Sequence, residues 1–101
     1  MLSKMEENEK DPQRSTWWVY LIRTQNRSLY CGITTDIPRR FKMHQQGKGA
    51  KYLRGKGPLV LEWSQQLDSQ SNALRLEYQI KQFSKKNKER IIAEQATLSI
   101  K

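Results

Sequence analysis

Residues 16–34, TWWVYLIRTQNRSLYCGIT, decide the fold of this chain. Residues 17–24 form a short run of apolar, aromatic and β-branched side chains, which is typical of a largely buried strand. Residues 25–28 are polar and suit a turn, and residues 29–34 form a second short strand-like run. Two such runs joined by a short polar segment predict a β-hairpin.

A helix is predicted directly after the hairpin. Thr35 or Asp36 can cap its first turn, and Pro38 suits that turn because an N–H there would lack a helical partner. The helix is expected to run to about Gln46, where Gly47 provides the stop.

The remainder of the chain predicts one more strand and two more helices. The segments are a glycine-rich basic loop at 47–58, a strand at 59–64, a helix from Ser69 or Ser71 to about Phe83, and a helix at 85–94. The complete order is therefore β-β-α-β-α-α. This order predicts an α+β domain in which a small three-stranded antiparallel sheet is flanked by helices.

Length and composition favour one small domain. The chain has 101 residues, which is short for two domains. Its predicted parts are a flexible N-terminal tail at 1–16, the domain at 17–94 and a C-terminal tail at 95–101. Cys31 is the only cysteine, which excludes an internal disulfide and a cysteine-only zinc site. No apolar run of membrane-spanning length and no secretory leader are present, so we expect a cytoplasmic protein without a membrane partner.

The charge distribution points to a polyanionic partner. The chain carries 19 basic and 10 acidic residues, a net charge of +9, and residues 17–101 alone carry +10. Residues 39–56 contain seven basic residues and no acidic one, and residues 81–90 form a second basic run. A solvated, solubilising face is the alternative explanation, but sparse acids favour nucleic acid, whose phosphates attract lysine and arginine. The predicted nucleic-acid-binding residues are Arg39, Lys42, Lys48, Lys51, Arg54, Lys81 and Lys85.

The first predicted helix turns two polar residues toward its apolar side. At about 100° per residue, Ile37, Arg40, Phe41 and His44 share one face, whereas Arg39 points away. Burial of arginine or histidine requires hydrogen-bonding partners. Either Arg40 merely lies along Phe41 and His44 is a satisfied histidine at the helix end, or both residues belong to a functional site.

The second predicted helix places a carboxylate between two apolar sectors. The main apolar stripe consists of Ala73, Leu76, Ile80 and Phe83, and further round lie Leu74 and Tyr78. Glu77 falls between these sectors. It could form a surface ion pair with Lys81, four residues later, or lie in a cleft and hold a hard divalent cation through oxygen. Periodicity alone leaves both interpretations open.

The hairpin carries two tyrosines, Tyr20 and Tyr30. Strand alternation puts Tyr30 and Gly32 on one face and Cys31 on the other, where it behaves as a small buried hydrophobe. Tyr20 shares the face of Tyr30 if paired residue numbers in the hairpin sum to an even value. Ordinary core tyrosines are the alternative to a functional pair.

These residues, in this order and spacing, resemble the GIY-YIG nuclease domain. Trp18-Val19-Tyr20 stands for its first motif and Tyr30-Cys31-Gly32 for its second, and the later positions are matched by Arg40, His44 and Glu77. The likeness covers about residues 17–92 and is greatest to the small stand-alone bacterial YhbQ-like group. The sequence departs from the family at Trp18-Val19, which replaces Gly-Ile. The asparagine that often follows the glutamate also has no convincing match, since Asn87 is poorly spaced.

The resemblance implies an endonuclease that depends on one divalent ion, Mg²⁺ or Mn²⁺. In that family pattern Glu77 would ligate the metal at the scissile phosphate, and Tyr30, or less favourably Tyr20, would act as general base or orient the attacking water. Arg40 would stabilise charge on the phosphoryl oxygens. His44 would position Tyr30 or assist proton transfer. Gly32 would allow a close approach of backbone or substrate.

The expected partner is DNA, with branched, nicked or single-stranded forms as candidate substrates and repair or recombination as the setting. No obligate protein partner is predicted. One alternative is a nucleic-acid-binding module with negligible turnover. Another is a basic RNA-associated protein of ribosomal type, for which Tyr30 and Glu77 would have no role.

Overall fold

The computed structural model describes residues 16–101 and places a three-stranded antiparallel sheet against three helices. The elements are β1 (Trp17–Arg23), β2 (Leu29–Thr34), α1 (Ile37–Gln45), a short 3₁₀ turn (Lys51–Leu53), β3 (Val60–Leu67), α2 (Gln70–Lys81) and α3 (Lys85–Glu94). The predicted α+β class and the order of strands and helices are confirmed. The predicted flexible tail, apart from Thr16, lies outside the described residues.

The order of strands in the sheet is β2-β1-β3, so the most apolar strand lies in the centre. In the hairpin Tyr20 pairs with Gly32, and the paired residue numbers sum to an even value. Tyr20, Gly32 and Tyr30 therefore share one face. β3 is longer than predicted because residues 65–67, although two of them are glutamines, continue the pairing with β1.

One face of the sheet, here called the apolar face, is covered by α2 and α3. Its buried cluster consists of Val19, Leu21, Cys31, Trp63, Ala73, Leu76, Ile80 and Ile91. The predicted stripe of the second helix is thus buried, whereas Leu74 and Tyr78 are exposed. Burial of apolar surface at this face provides the main stabilisation of so small a domain.

The opposite face, here called the tyrosine face, is covered by α1 and by the loop that follows it. Its buried cluster contains Tyr20, Ile22, Leu53 and Leu59, and the partly buried side chains packed on it are Tyr30, Ile37, Phe41 and Ala50. His44 is buried here as well. The inward face predicted for the first helix is confirmed, since Arg39 on the far side is exposed.

Side-chain caps set where the helices begin. Of the two predicted caps for α1, Asp36 is the one used, and its carboxylate accepts a hydrogen bond from the Arg39 N–H at 3.1 Å. Ser69 caps α2 by accepting from the Asn72 N–H at 3.1 Å. Gly47 follows α1 with a φ of 76°, a conformation that costs glycine little.

Residues 95–101, predicted as a C-terminal tail, pack beside β3 and α2. The Trp63 indole N–H donates to the Ala96 carbonyl at 2.9 Å, and the Gln65 side chain makes two hydrogen bonds to the backbone of Leu98. Ile100 packs against the apolar cluster. Within residues 16–101, no helix combines the length and apolar character needed to cross a bilayer.

Candidate active site

A buried hydrogen bond between Tyr20 and His44 lies at the centre of the tyrosine face. The Tyr20 hydroxyl and His44 Nε2 are 2.8 Å apart, and each residue is only 2% exposed. The other ring nitrogen, Nδ1, accepts the backbone N–H of Ala50 at 3.2 Å. A neutral imidazole that accepts at Nδ1 carries its proton on Nε2. His44 is therefore the donor, and the Tyr20 oxygen is the acceptor.

Two glycines permit this packing. A Cβ on Gly49 would lie 2.1 Å from His44 Nδ1, so no side chain fits where the loop crosses the imidazole. A Cβ on Gly32 would lie 2.6 Å from the Tyr20 hydroxyl oxygen and 3.0 Å from the Tyr30 ring. The close approach expected at Gly32 is thus made by the side chain of Tyr20.

Tyr30 lies beside this pair and is more accessible than Tyr20. Its ring centroid is 6.3 Å from that of Tyr20 and 5.7 Å from that of His44, which it meets edge to face. Tyr30 is partly buried, whereas Tyr20 is almost fully buried. A water molecule or a phosphate can therefore reach the Tyr30 ring more readily.

Arg40 is the common electrostatic neighbour of the two tyrosines and the histidine. Burial lowers the pKa of His44, and the Arg40 charge lowers it further, so the imidazole is neutral at pH 7. Burial, followed by the neighbouring Tyr30, raises the pKa of Tyr20 to about 12, and Arg40 opposes this rise. A phenolate at either tyrosine would thus form beside a fixed cation.

The environment of Tyr30 differs from that of Tyr20 in the number of cations nearby. Burial raises the pKa of Tyr30, and Lys81 and Arg40 both act to lower it, while Glu77 acts to raise it. All three charged groups are therefore within electrostatic range of this hydroxyl. Two cations at Tyr30 make it the easier of the two tyrosines to deprotonate.

Glu77 lies on α2, which covers the apolar face rather than the tyrosine face and packs against β1 and the edge strand β2. Its side chain is only 18% exposed, and its carboxylate forms an ion pair with Lys81 at 3.3 Å. Burial raises the pKa values of Tyr30 and Cys31, both on β2, and the Glu77 charge adds to each rise. The predicted ion pair with Lys81 is confirmed, and the charge of Glu77 also acts on Tyr30, while its role as a metal ligand stays a prediction.

The predicted ligand for a divalent ion is the carboxylate of Glu77. Among residues 16–101, no cluster of three or more histidine, cysteine, aspartate or glutamate side chains could hold a metal. Mg²⁺ is commonly held by one or two carboxylates, several waters and substrate phosphates. Glu77 provides one such carboxylate, so it fits this kind of site.

The basic residues predicted to bind nucleic acid are all exposed side chains. They are Arg39, Lys42, Lys48, Lys51, Arg54, Lys81 and Lys85. Lys85 also pairs with Glu89 at 3.0 Å, and Lys81 with Glu77. The other five are available to phosphate, but their binding role stays a prediction.

Sequence reasoning missed part of the loop between α1 and β3. The backbone N–H of Ala50 binds His44, and Gly49 leaves room for the imidazole. The residue pattern did not indicate that this loop crosses His44. It also missed Tyr52, whose ring stacks near Tyr30, and Lys56, whose ammonium lies over Tyr52. An aromatic residue among lysines and arginines was the available signal. The expected contact of His44 with Tyr30 is a ring contact, since its hydrogen bond goes to Tyr20.

Known proteins match this chain over most of its length. Residues 16–90 match the family model of the GIY-YIG catalytic domain. The chain is 57% identical to a UPF0213 protein of Vibrio parahaemolyticus over 84 residues, 83% of this chain and 79% of that relative. It is 57% identical to the UPF0213 protein YhbQ of Salmonella arizonae over 79 residues, 78% of this chain and 79% of that relative.

The fold has solved counterparts as well. The solution NMR structure of a UPF0213 protein from Bacillus halodurans matches with a TM-score of 0.52 and 40% identity, covering 78% of this chain and 84% of that one. A protein from E. faecalis matches with a TM-score of 0.56 and 28% identity, covering 82% and 88%. The chain therefore belongs to the GIY-YIG domain family. Within that family its relatives are UPF0213 proteins.

Proposed function

We propose that this protein is an endonuclease that hydrolyses DNA phosphodiester bonds with the help of one Mg²⁺ or Mn²⁺ ion. The observation that carries the proposal is the buried Tyr20–His44 hydrogen bond, 2.8 Å long, beside Tyr30 and Arg40 in a member of the GIY-YIG family. Burying a polar pair costs free energy unless both partners are hydrogen-bonded, which favours a functional reason for its place in the core.

Arg40 is proposed to bind and stabilise the reacting phosphate. Its charge acts on Tyr20, Tyr30 and His44 together, so it lies within electrostatic range of all three. A guanidinium offers paired N–H donors that match two phosphoryl oxygens. The negative charge that builds on those oxygens during water attack would be stabilised by a donor already in place.

Tyr30 is proposed to orient the attacking water and accept its proton. Its hydroxyl is the more accessible of the two, and Lys81 and Arg40 both favour its phenolate. The water oxygen would form the new bond to phosphorus as the bond to one backbone oxygen breaks. The proton lost by the water would pass to Tyr30 in its phenolate form, and the leaving backbone oxygen would take a proton from solvent.

His44 is proposed to hold Tyr20 rather than to remove a proton from it. Because Nδ1 accepts from Ala50, the neutral imidazole can only donate at Nε2. This donation leaves the Tyr20 hydroxyl proton free to reach toward Tyr30 or a phosphate oxygen. It would also stabilise any negative charge on the Tyr20 oxygen.

Glu77 is proposed to ligate the divalent ion, after its ion pair with Lys81 opens. The ion would neutralise charge on the scissile phosphate and lower the pKa of a nearby water. Release of Lys81 from the carboxylate would free a second cation beside Tyr30, since Lys81 already lowers the pKa of that tyrosine.

A nucleic-acid-binding module with negligible turnover is the second candidate function. Two observations favour it. The Glu77 carboxylate is occupied by Lys81 rather than free for a metal, and a pKa of about 12 keeps the Tyr20 hydroxyl protonated at neutral pH. A role in repair or recombination, with branched, nicked or single-stranded DNA as substrate, belongs to the nuclease proposal.

The nuclease proposal is tested by incubating the protein with nicked, flapped and single-stranded DNA in Mg²⁺, Mn²⁺ or EDTA. We expect metal-dependent cleavage that falls at least ~100-fold in Glu77→Gln and Arg40→Ala, since each removes a group that acts on the transition-state charge. The matched controls are Glu94→Gln and Arg75→Ala, exposed residues outside the site. Binding without any product, unchanged by EDTA and by both site variants, would instead identify a binding module.

A further inference from the structure

Tyr52 is an exposed aromatic residue at the edge of the proposed site. It lies in the 3₁₀ turn of the basic loop and is 45% exposed. Its ring is nearly parallel to that of Tyr30, with an interplanar angle of 17° and centroids 6.1 Å apart. The line of aromatic rings that starts at Tyr20 in the core therefore continues through Tyr30 to a surface accessible to solvent.

The orientation of Tyr52 is held by contacts on the hairpin. Its hydroxyl donates to the Ser28 hydroxyl at 3.0 Å, and the loop is tied to the same turn by the Gln25 N–H, which donates to the Lys56 carbonyl at 2.9 Å. The ring thus has a fixed orientation while much of its surface stays exposed. A preset aromatic ring loses little conformational freedom when a ligand stacks on it.

The charge around Tyr52 favours an anionic ligand. Residues 37–61 contain no acidic residue, and Lys51 and Arg54 lie close to Tyr52 in the sequence. The Lys56 ammonium lies 3.7 Å from the centroid of the Tyr52 ring. An aromatic ring bordered by cations is the pairing that binds single-stranded nucleic acid, where a base stacks on the ring and the backbone contacts the charges.

We infer that Tyr52 is a stacking platform for an unpaired base of the DNA strand that enters the site, and that Lys56 binds a phosphate of that strand. The inference rests on the proposed function and assigns it a substrate class, DNA with an unpaired nucleotide beside the cut. A base inside a duplex is already stacked on both sides and cannot use the ring.

Lys56 leaves the Tyr52 ring in this binding mode. A cation over a ring at an exposed site is held weakly, whereas a phosphate offers the ammonium a full opposite charge. The incoming base would take the ring surface that the ammonium gives up. Lys56 thus covers the Tyr52 ring in the free protein and binds a phosphate of the strand in the complex.

The test measures binding of labelled single-stranded and blunt duplex DNA of one sequence by fluorescence anisotropy in EDTA, so that cleavage plays no part. Tyr52→Ala should weaken single-strand binding about 5- to 150-fold and duplex binding less than ~2-fold, the range that loss of one base–aromatic stack produces. Tyr52→Phe keeps the ring and loses only the hydroxyl bond to Ser28, so it should weaken single-strand binding far less than Tyr52→Ala. Tyr78→Ala, at a tyrosine 69% exposed on α2, is the matched control and should bind normally.

Single abasic sites placed along the strand identify the stacked base. One position should weaken binding of the wild-type protein and have no further effect on Tyr52→Ala, because both changes remove the same stack. Equal losses for single strand and duplex, or abasic losses that are the same in both proteins, would overturn the inference.

The two proposals can fail separately. If DNA is cleaved in a metal-dependent way but Tyr52→Ala weakens single-strand and duplex binding equally, the stacking role of Tyr52 is overturned and the nuclease proposal stands. If single-strand binding depends on Tyr52 but no DNA is cleaved, the stacking role stands and the nuclease proposal is overturned. Absence of any DNA binding would overturn both.

Discussion

The two faces of the sheet are built from adjacent residues of the same strands, yet they differ in kind. The apolar face buries Val19 and Leu21 against two helices. The tyrosine face buries Tyr20 and His44, joined by a hydrogen bond, against one helix and a glycine-containing loop. The first face is held by apolar burial, whereas the second combines apolar burial with the hydrogen bonds that His44 makes to Tyr20 and Ala50.

This difference separates stability from function within one small domain. Apolar burial is non-directional and tolerates small shifts, whereas a buried polar pair depends on the position of each donor and acceptor. The directional contacts lie on the tyrosine face, where Tyr30 stacks near Tyr52 of the basic loop. Damage to the apolar face should therefore unfold the protein, and damage to the tyrosine face should disturb the site with a smaller loss of stability.

Leu76→Ala should produce the largest loss of stability. Leu76 is fully buried in the apolar cluster, so the substitution leaves a cavity and should lower the free energy of unfolding by about 2–5 kcal/mol. Leu74→Ala, on the same helix but 47% exposed, should change it by no more than ~0.5 kcal/mol. Urea unfolding measures both. Similar losses for the two variants would remove the distinction between the faces.

Gly49→Ala should have an intermediate effect and act on the tyrosine face alone. The new Cβ would overlap His44 Nδ1, so the loop or the imidazole must move, at about 1–3 kcal/mol. Gly57→Ala is the control, since its Cβ would have its nearest neighbour at 3.8 Å and should cost no more than ~0.5 kcal/mol. Urea unfolding and the cleavage assay are read together. A fully active and fully stable Gly49→Ala would contradict the role given to this loop.

Lowering the pH should lower the free energy of unfolding through His44. We expect this loss to be smaller than those caused by Leu76→Ala and Gly49→Ala. The folded protein lowers the pKa of His44 below its ordinary value of 6.5, so below pH 6.5 the unfolded chain binds a proton that the folded one does not. Stability is therefore complete above about pH 6.5 and falls as the pH drops toward the folded pKa, by up to ~1.4 kcal/mol per unit.

His44→Gln isolates this contribution, because His44 is the only histidine of the chain. Urea unfolding at pH 7.5, 6.5 and 5.5 should show a steeper loss for the wild-type protein than for the variant. Parallel pH profiles would mean that the imidazole is not held neutral in the folded state.

Much of the tyrosine face could be predicted from periodicity. Alternation along the hairpin predicted the shared face of Tyr30 and Gly32, and helical spacing predicted that Arg40 and His44 turn inward. Both follow from local geometry, in which residues two apart in a strand or four apart in a helix lie on one side. The end of β3 could not be predicted, because glutamines at 65 and 66 extend the strand only through pairing with β1.

The sequence by itself determined the order of the elements, the basic loop and the inward direction of Arg40 and His44, since each depends on neighbours within a few residues. Only the tertiary structure decided that Ala50 donates to His44, that His44 donates to Tyr20, and that Tyr52 stacks near Tyr30. These contacts join segments brought together by folding. Hydrogen bonds of this kind require positions accurate to a few tenths of an ångström, and no local pattern of residue types encodes that precision.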